Sequence, residues 1–143
     1  KQGNFSAAYV VGEDLIGADR DPEAVRQALK KLSFLVVQDI RITETAELAH
    51  VVLPSTHFGE KEGTYTNRNA RVQKLNAATI APEGALQDWE IFVRLLDASG
   101  EPVSCSTPSE IFEALAKAAP GYQGLDYATI GAQGFQLGSE VQP

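Results

Sequence analysis

Three short apolar runs separated by helical segments constrain the fold of this chain more than any other feature. The runs are SAAYVVG at 6–12, FLVVQD at 34–39 and VVLP at 51–54. Between the first two, DPEAVRQALKKL at 21–32 has apolar residues at helical spacing behind an Asp-Pro start. TETAELAH at 43–50 predicts a second, shorter helix. The β-α-β-α-β order predicts an α/β fold with a doubly wound parallel sheet flanked by helices.

The rest of the chain changes character after the third strand. GTYTNRNARVQKL at 63–75 alternates on both sides of 67–70, which predicts a hairpin or paired loop segments. Two helices are predicted next, one capped by Asp88 and ended by Gly100, the other starting at a Thr107–Glu110 capping box. We expect one domain over 1–143, which divides into a β-α-β-α-β core at 1–58, a hairpin and loop at 59–86, and a helical and irregular tail at 87–143.

One face of the first of these two helices is strongly apolar. Trp89, Phe92, Leu95 and Leu96 share that face, so we expect them in the core. The same stripe would also suit contact with a partner domain. Both alternatives remain open from the sequence.

Composition and charge exclude several classes of function. The net charge is −7 and the basic residues are scattered, which excludes a broad surface for nucleic acid or anionic lipid. The apolar runs are too short to cross a bilayer, so we expect no direct membrane insertion. The single cysteine, Cys105, excludes an intramolecular disulfide and an all-cysteine metal site within this chain. The lone cysteine and the absence of a signal-peptide pattern favour a reducing, cytoplasmic setting. Because the chain has no methionine and enters a strand almost at once, we expect a piece of a longer polypeptide.

Polar residues follow the first two predicted strands at the point where each strand ends. The carboxyl ends of parallel strands meet at one edge of a sheet, where helix N-termini present free N–H groups to anionic ligands. The sequence therefore predicts a ligand site at this edge, against the alternative that these are ordinary polar loop residues. No GxGxxG or GxxxxGK[ST] motif is present. The candidate binding residues are Gly12, Glu13, Asp14, Gln38, Asp39, Thr43 and Thr45.

Catalytic and metal-binding constellations are not predicted. Ser55, His57 and Glu60 are the residue types of a catalytic triad, but no glycine-flanked nucleophile turn accompanies them. His50 and His57 lie on opposite sides of VVLP without the spacing of a metal site. Glu60 and Glu62, in EKEGTYTNRNARVQ at 60–73, are expected to pair with nearby basic side chains or cap N–H groups.

Taken together, three segments resemble a late part of the molybdopterin oxidoreductase superfamily. They are VVGEDLIGAD, LSFLVVQDIRITETAELAHVVLPSTHFGEKEGTYTNRNARVQ and DWEIFVRLL. That family includes formate dehydrogenase catalytic subunits, nitrate reductases and the large iron–sulphur subunit of NADH-quinone oxidoreductase, respiratory complex I. The resemblance implies a Rossmann-like domain, in which the loops after the first two strands approach a molybdopterin guanine dinucleotide.

This chain departs from the family pattern at three positions. Asp14 stands where pterin-binding members often have Asn, His50 where Asp is usual, and Arg41 where an apolar or aromatic residue is common. An acid beside a pyrophosphate repels it unless it is protonated or turned away. The departures therefore favour a relaxed site, with no cofactor in this fragment. The resemblance to the large NADH-quinone oxidoreductase subunit implies iron–sulphur clusters elsewhere in the parent.

Three functions are open from the sequence, two that the resemblance implies and one from a different class. The first is a scaffold domain of the large NADH-quinone oxidoreductase subunit, inactive alone, in the peripheral arm at the cytoplasmic face of the inner membrane. Its partners would be the rest of the parent subunit and other respiratory-complex subunits. The alternative is the cofactor-binding domain of a molybdenum or tungsten formate dehydrogenase alpha subunit. The third is a non-catalytic binding module.

Overall fold

The computed structural model describes residues 5–138, which divide into two compact units. The first unit contains the residues up to His57 together with Pro82–Asp88. The second contains Phe58–Ala81 and the residues from Trp89 onward. The single domain expected over 1–143 stays a prediction, and its ends at 1–4 and 139–143 lie outside the described residues.

A parallel sheet of three strands forms the first unit. Its strands, β1 (Ala7–Val11), β2 (Phe34–Asp39) and β3 (Val51–Pro54), are hydrogen-bonded in that order, so that Val10 pairs with Val37, which pairs with Val52. The predicted parallel α/β arrangement is therefore confirmed. The elements are β1 Ala7–Val11, α1 Leu15–Ala18, α2 Pro22–Leu29, β2 Phe34–Asp39, a 3-10 turn at Ala46–Leu48, and β3 Val51–Pro54.

Apolar residues from alternate strand positions pack against the helices of this unit. The side chain of Asp21 accepts a hydrogen bond from the N–H of Ala24 at 3.1 Å, which caps α2 as its sequence predicts. Burying these apolar side chains is the main source of stability for such a layer. The buried core consists of Val10, Ile16, Leu29, Leu35, Val37 and Ala46.

The segment predicted as a helix at 43–50 forms only a 3-10 turn. The hydroxyl of Thr43 accepts a hydrogen bond from the N–H of Ala46 at 3.1 Å, and Ala49 already has extended backbone. His50 then pairs with the start of β2, because its N–H donates to the carbonyl of Leu35 at 2.8 Å. Its Nδ1 accepts the Leu35 N–H at 3.0 Å. This pairing draws the chain into β3 before a full helical turn develops.

After leaving β3 and passing through part of the second unit, the chain returns to the sheet. The N–H of Leu86 donates to the carbonyl of Pro54 at 3.2 Å, and its own carbonyl accepts from Thr56 at 3.1 Å. Ser55 and Leu86 thus form an isolated parallel bridge. This bridge continues the parallel pairing one residue beyond the end of β3.

The described part of the second unit, up to residue 138, contains an antiparallel sheet, three α-helices, and 3-10 turns at Phe58–Glu60 and Pro120–Tyr122. The predicted hairpin is confirmed, with its reversal closed by the N–H of Asn67 donating to the carbonyl of Arg71 at 3.0 Å. The predicted capping box is also confirmed, since Thr107 and Glu110 exchange hydrogen bonds across the helix start. Val72, Phe112, Leu125 and Ile130 form the buried core. The elements are β4 Gly63–Thr66, β5 Arg71–Leu75, α3 Asp88–Ala98, α4 Pro108–Ala118, α5 Tyr127–Ile130 and β6 Phe135–Gln136.

The prediction that one apolar face of α3 is core is wrong for three of its residues. Phe92, Leu95 and Leu96 are 39%, 43% and 41% exposed, whereas Ile91 is the buried residue of this helix. The helix therefore turns its Ile91 side inward rather than the face that carries the larger stripe. That the stripe contacts another domain stays a prediction. Within residues 5–138, no helix has the length and hydropathy that a membrane span requires.

Candidate functional site

The loop after β1 begins with a glycine in the left-handed region of the backbone. Gly12 has φ +64°, and its N–H donates to the carbonyl of Gln38 at 2.8 Å, which fixes it beside the end of β2. A Cβ built at this position would meet no atom within 4 Å. Glycine is therefore favoured here by backbone conformation, and the space beside it is open. Glu13, the next residue, is exposed.

The side chain of Asp14 is held by the loop that follows β2. Its Oδ1 accepts hydrogen bonds from the hydroxyl of Thr45 at 2.7 Å and from the N–H of Thr45 at 3.2 Å. The Thr45 oxygen in turn accepts the N–H of Ile16 at 3.1 Å, and Thr45 is fully buried. The hydrogen bond from Thr45 is the largest cause that lowers the pKa of Asp14. The carboxylate is therefore ionised at neutral pH and bonded to its own chain.

Gln38 lies wholly inside the first unit. Its Nε2 donates to the carboxylate of Asp88 at 2.6 Å, and its Oε1 accepts the hydroxyl of Tyr9. Burial, and secondarily the charge of Asp88, raises the pKa of Tyr9. Sequence reasoning missed Tyr9 and assigned Asp88 only a capping role. No local pattern could have identified Tyr9 and Asp88 as partners of Gln38, because both are far from it in sequence.

The side chains of Asp39 and Thr43 support the backbone of the second loop. Asp39, 9% exposed, accepts the N–H groups of Ile40 at 2.7 Å and Arg41 at 3.3 Å through Oδ1. Thr43 caps the 3-10 turn through its oxygen. Near the end of β3, the hydroxyl of Thr56 is buried without a hydrogen-bond partner among the described residues. Sequence reasoning missed this orphaned hydroxyl, for which the sequence carries no signal.

All seven predicted binding residues lie at one edge of the first unit, but they do not present one continuous set of side chains. Five of the side chains are hydrogen-bonded within the unit, those of Asp14, Gln38, Asp39, Thr43 and Thr45. The exposed part consists of Gly12 and Glu13 after β1 and the loop 40–43 after β2. In that loop Arg41 is exposed, while Ile40 and Ile42 are 47% and 68% exposed.

This exposed surface, here called the two-loop edge, combines Gly12 and Glu13 with the loop 40–43. It offers the guanidinium of Arg41 for an anion and two exposed isoleucines for an apolar or flat group. Among residues 5–138, no group of three or more His, Cys, Asp or Glu side chains is arranged to hold a metal ion.

Comparison with known proteins identifies the family. The family model described as molybdopterin oxidoreductase matches residues 1–98. The chain therefore belongs to the molybdopterin oxidoreductase family, as the resemblance of its motifs predicts.

Two curated relatives represent different branches of that similarity. F420-dependent formate dehydrogenase 2 subunit alpha from Methanococcus maripaludis is 46% identical over 130 residues, which are 90% of this chain and 19% of that protein. A G-type subunit of NADH-quinone oxidoreductase from Rhizobium meliloti is 36% identical over 143 residues, which are 100% of this chain and 17% of that protein. The chain thus spans less than a fifth of the length of each of these two relatives.

A solved structure supports the fold alone. Acetylene hydratase from Pelobacter acetylenicus superposes with a TM-score of 0.66 at 17% identity, covering 86% of this chain and 17% of that one. The agreement in backbone at such low identity shows that the arrangement of elements is that of a known protein. It carries no information about substrate.

Proposed function

We propose that this chain is the cofactor-binding segment of a formate dehydrogenase alpha-type subunit. The observation that carries the proposal is the 46% identity with the Methanococcus maripaludis formate dehydrogenase alpha subunit, against 36% with the Rhizobium meliloti NADH-quinone oxidoreductase subunit. In this proposal the two-loop edge contacts the guanine dinucleotide end of the molybdopterin cofactor. The bound cofactor supplies the two-electron redox chemistry by which formate is oxidised.

The topology of the first unit supports a nucleotide-binding role. The order β1-β2-β3, with β2 in the middle and all strands parallel, is that of one mononucleotide-binding half of a Rossmann-like sheet. In such sheets, ligands bind beyond the carboxyl ends of the strands, which is where the two-loop edge lies. We therefore propose the Rossmann-like description for this unit.

The residues of the edge fit a nucleotide diphosphate. Gly12 leaves open space beside the end of β1, which allows close approach of a ligand to the backbone. Arg41 supplies a planar cation suited to phosphate oxygens. Asp14 keeps its negative charge, but the hydrogen bonds from Thr45 hold its Oδ1 toward the chain rather than toward such a ligand. The acid is thus turned toward its own chain.

The departures from the family pattern have internal explanations that do not require an empty site. Asp14 bonds to Thr45, and His50 accepts the Leu35 N–H through Nδ1. A carboxylate at position 50 would be an acceptor for the same N–H, so histidine replaces the function of the more usual Asp. These two substitutions therefore no longer favour a scaffold over a cofactor-binding segment. Arg41 adds positive charge, which favours binding of an anion.

A scaffold domain of an NADH-quinone oxidoreductase subunit is the second candidate. The similarity to the Rhizobium meliloti subunit extends over 100% of the chain and favours it specifically. The two candidates differ in one measurable property, the presence of a pterin dinucleotide. They share the partners expected of a longer parent subunit, which stay a proposal in both cases.

Analysis of the intact parent protein tests the proposal. We expect molybdenum or tungsten in stoichiometric amount, release of GMP on acid hydrolysis, and formate-dependent reduction of a redox dye. Arg41→Gln should lower the nucleotide content of the purified protein. The control Lys30→Gln, an exposed cation after α2 at the opposite end of β2, should not. A wild-type protein without metal and nucleotide would overturn the proposal in favour of the scaffold domain.

A further inference from the structure

One hydrogen-bonded cluster joins the two loops of the candidate edge. It comprises the Asp14 carboxylate, the Thr45 hydroxyl and the two N–H groups of Ile16 and Thr45, with distances of 2.7–3.2 Å. We call the Asp14–Thr45 pair the clasp. Thr45 is fully buried, so its hydroxyl has no access to water and uses both its donor and its acceptor capacity within the cluster.

The clasp connects segments that are far apart in sequence. Asp14 directly follows Gly12 and Glu13, and Thr45 follows the loop 40–43, with 31 positions between the bonded residues. The backbone hydrogen bond from Gly12 to Gln38 ties the same two segments at the strand ends. The two loops are therefore joined twice, at the strand ends by the Gly12–Gln38 hydrogen bond and again by the clasp, which lies beyond the exposed residues. The clasp thus helps to set where the first loop lies relative to the second.

The glycine at position 17 leaves room for this arrangement. A Cβ at Gly17 would lie 2.5 Å from Oδ2 of Asp14, closer than real Cβ atoms approach a heavy atom. The φ of Gly17 is not in the left-handed region, so backbone conformation does not demand glycine here. Space for the carboxylate is the requirement that glycine meets.

We propose that Asp14 and Thr45 are positioning residues, which hold the two loops of the edge in the arrangement that receives the dinucleotide without contacting it. The inference rests on the proposed function. Loops that are ordered before a ligand arrives do not lose conformational freedom on binding, and this increases affinity. The clasp acts through Gly12 and Arg41, the groups that face the ligand.

The test is a titration of the full 143-residue chain with guanosine 5′-diphosphate, followed through backbone amide NMR signals. Thr45→Val keeps the shape of the side chain and removes the hydroxyl, whereas Thr45→Ser retains it. Gly17→Ala displaces the Asp14 carboxylate without changing either member of the clasp. The matched control is Thr129→Val, because Thr129 donates to Asp126 at 2.7 Å through both its hydroxyl and its N–H in the second unit.

In the wild type, we expect ligand-induced shifts at Gly12, Glu13 and 40–43. Thr45→Val and Gly17→Ala should raise the dissociation constant by about tenfold, because the loops must then be ordered during binding. Thr45→Ser and Thr129→Val should leave it unchanged within about twofold, a difference too small to indicate a lost interaction. Weakening by Thr129→Val equal to that of Thr45→Val would show a general loss of stability and overturn the inference.

Two further outcomes separate this inference from the proposed function. If Thr45→Val binds the diphosphate as the wild type does, the positioning role is wrong and the cofactor-binding proposal stands. If the wild type shows no shifts at either loop, the cofactor-binding proposal fails in this chain. Amide hydrogen exchange then tests whether the clasp orders the two loops. Faster exchange at both loops in Thr45→Val supports this positioning role, and unchanged exchange overturns it.

Discussion

Replacing Gly134 with alanine is expected to destabilise the second unit because this residue touches the neighbouring strand with its backbone. A Cβ at this position would lie 2.6 Å from the carbonyl oxygen of Val72 and 2.7 Å from Cγ of Gln73. Gly134 also has φ +75°, in the left-handed region. Its carbonyl accepts a hydrogen bond from Arg71 at 3.3 Å, which fixes the segment against β5. Because the Val72 contact is with backbone, an alanine here forces the chain to shift away from β5.

Two contributions determine the size of the effect. The left-handed backbone costs an alanine about 1–2 kcal/mol. Relief of the overlap requires the chain to move away from β5, where Val72 pairs with Phe135 and is fully buried. Overpacking of this kind costs about 1–3 kcal/mol. We therefore expect Gly134→Ala to lower the free energy of unfolding by about 2–5 kcal/mol.

Urea unfolding followed by tryptophan fluorescence measures this change in the unit concerned. Trp89 is the single tryptophan of the chain and belongs to the same compact unit as Gly134. The control is Gly100→Ala, since Gly100 has φ +86° and a Cβ there would meet nothing within 4 Å. The control should cost only the backbone contribution, about 1–2 kcal/mol. Equal costs for the two variants would refute the argument from close approach.

Three further changes test other parts of the structure. His50→Ala should cost about 1 kcal/mol by leaving the Leu35 N–H without its acceptor, and His50→Asp should restore most of this in chemical denaturation; equal losses would contradict the role of Nδ1. Folding lowers the pKa of Asp14, so its carboxylate contributes to the free energy of unfolding above the unfolded pKa of 3.8, and this contribution is lost as the pH falls through the lowered pKa. Asp14→Asn should therefore make the free energy of unfolding less dependent on pH in the acid range. An unchanged acid range would contradict this prediction. Thr107→Ala should cost about 1 kcal/mol by removing the capping of α4, measured as a lower urea midpoint, while Thr107→Ser should retain it.

The elements predictable from sequence are those with a continuous or periodic signal. β2 extends over Phe34–Asp39 as predicted, since a short unbroken apolar run is typical of a buried strand. The start of α4 was predictable because the capping residues and the proline are local. β6, with only two residues, has too short a pattern to be recognised, and its pairing depends on β5 far away in the chain. The bridge to Leu86 is of the same kind.

The edge of the sheet at which the candidate residues lie was predictable. Which of their side chains bond to their own chain and which are exposed was not. The strand ends determine the edge, whereas a carboxylate or an amide at that edge can serve a ligand or its own backbone equally well. Gln38 illustrates the difference: it is fully buried, and one of its hydrogen bonds goes to the charged group of Asp88.

Withdrawing the Gln38 side chain toward a ligand would break that charged hydrogen bond, which costs about 1.5–3 kcal/mol, and the one to Tyr9, which costs about 0.5–1.5 kcal/mol. A ligand would have to replace both bonds before it gained any affinity. Gly12 and Arg41 are exposed and involve no such loss. We therefore expect substitutions at Arg41 to change ligand affinity, and substitutions at Gln38 to change stability first and affinity only through it.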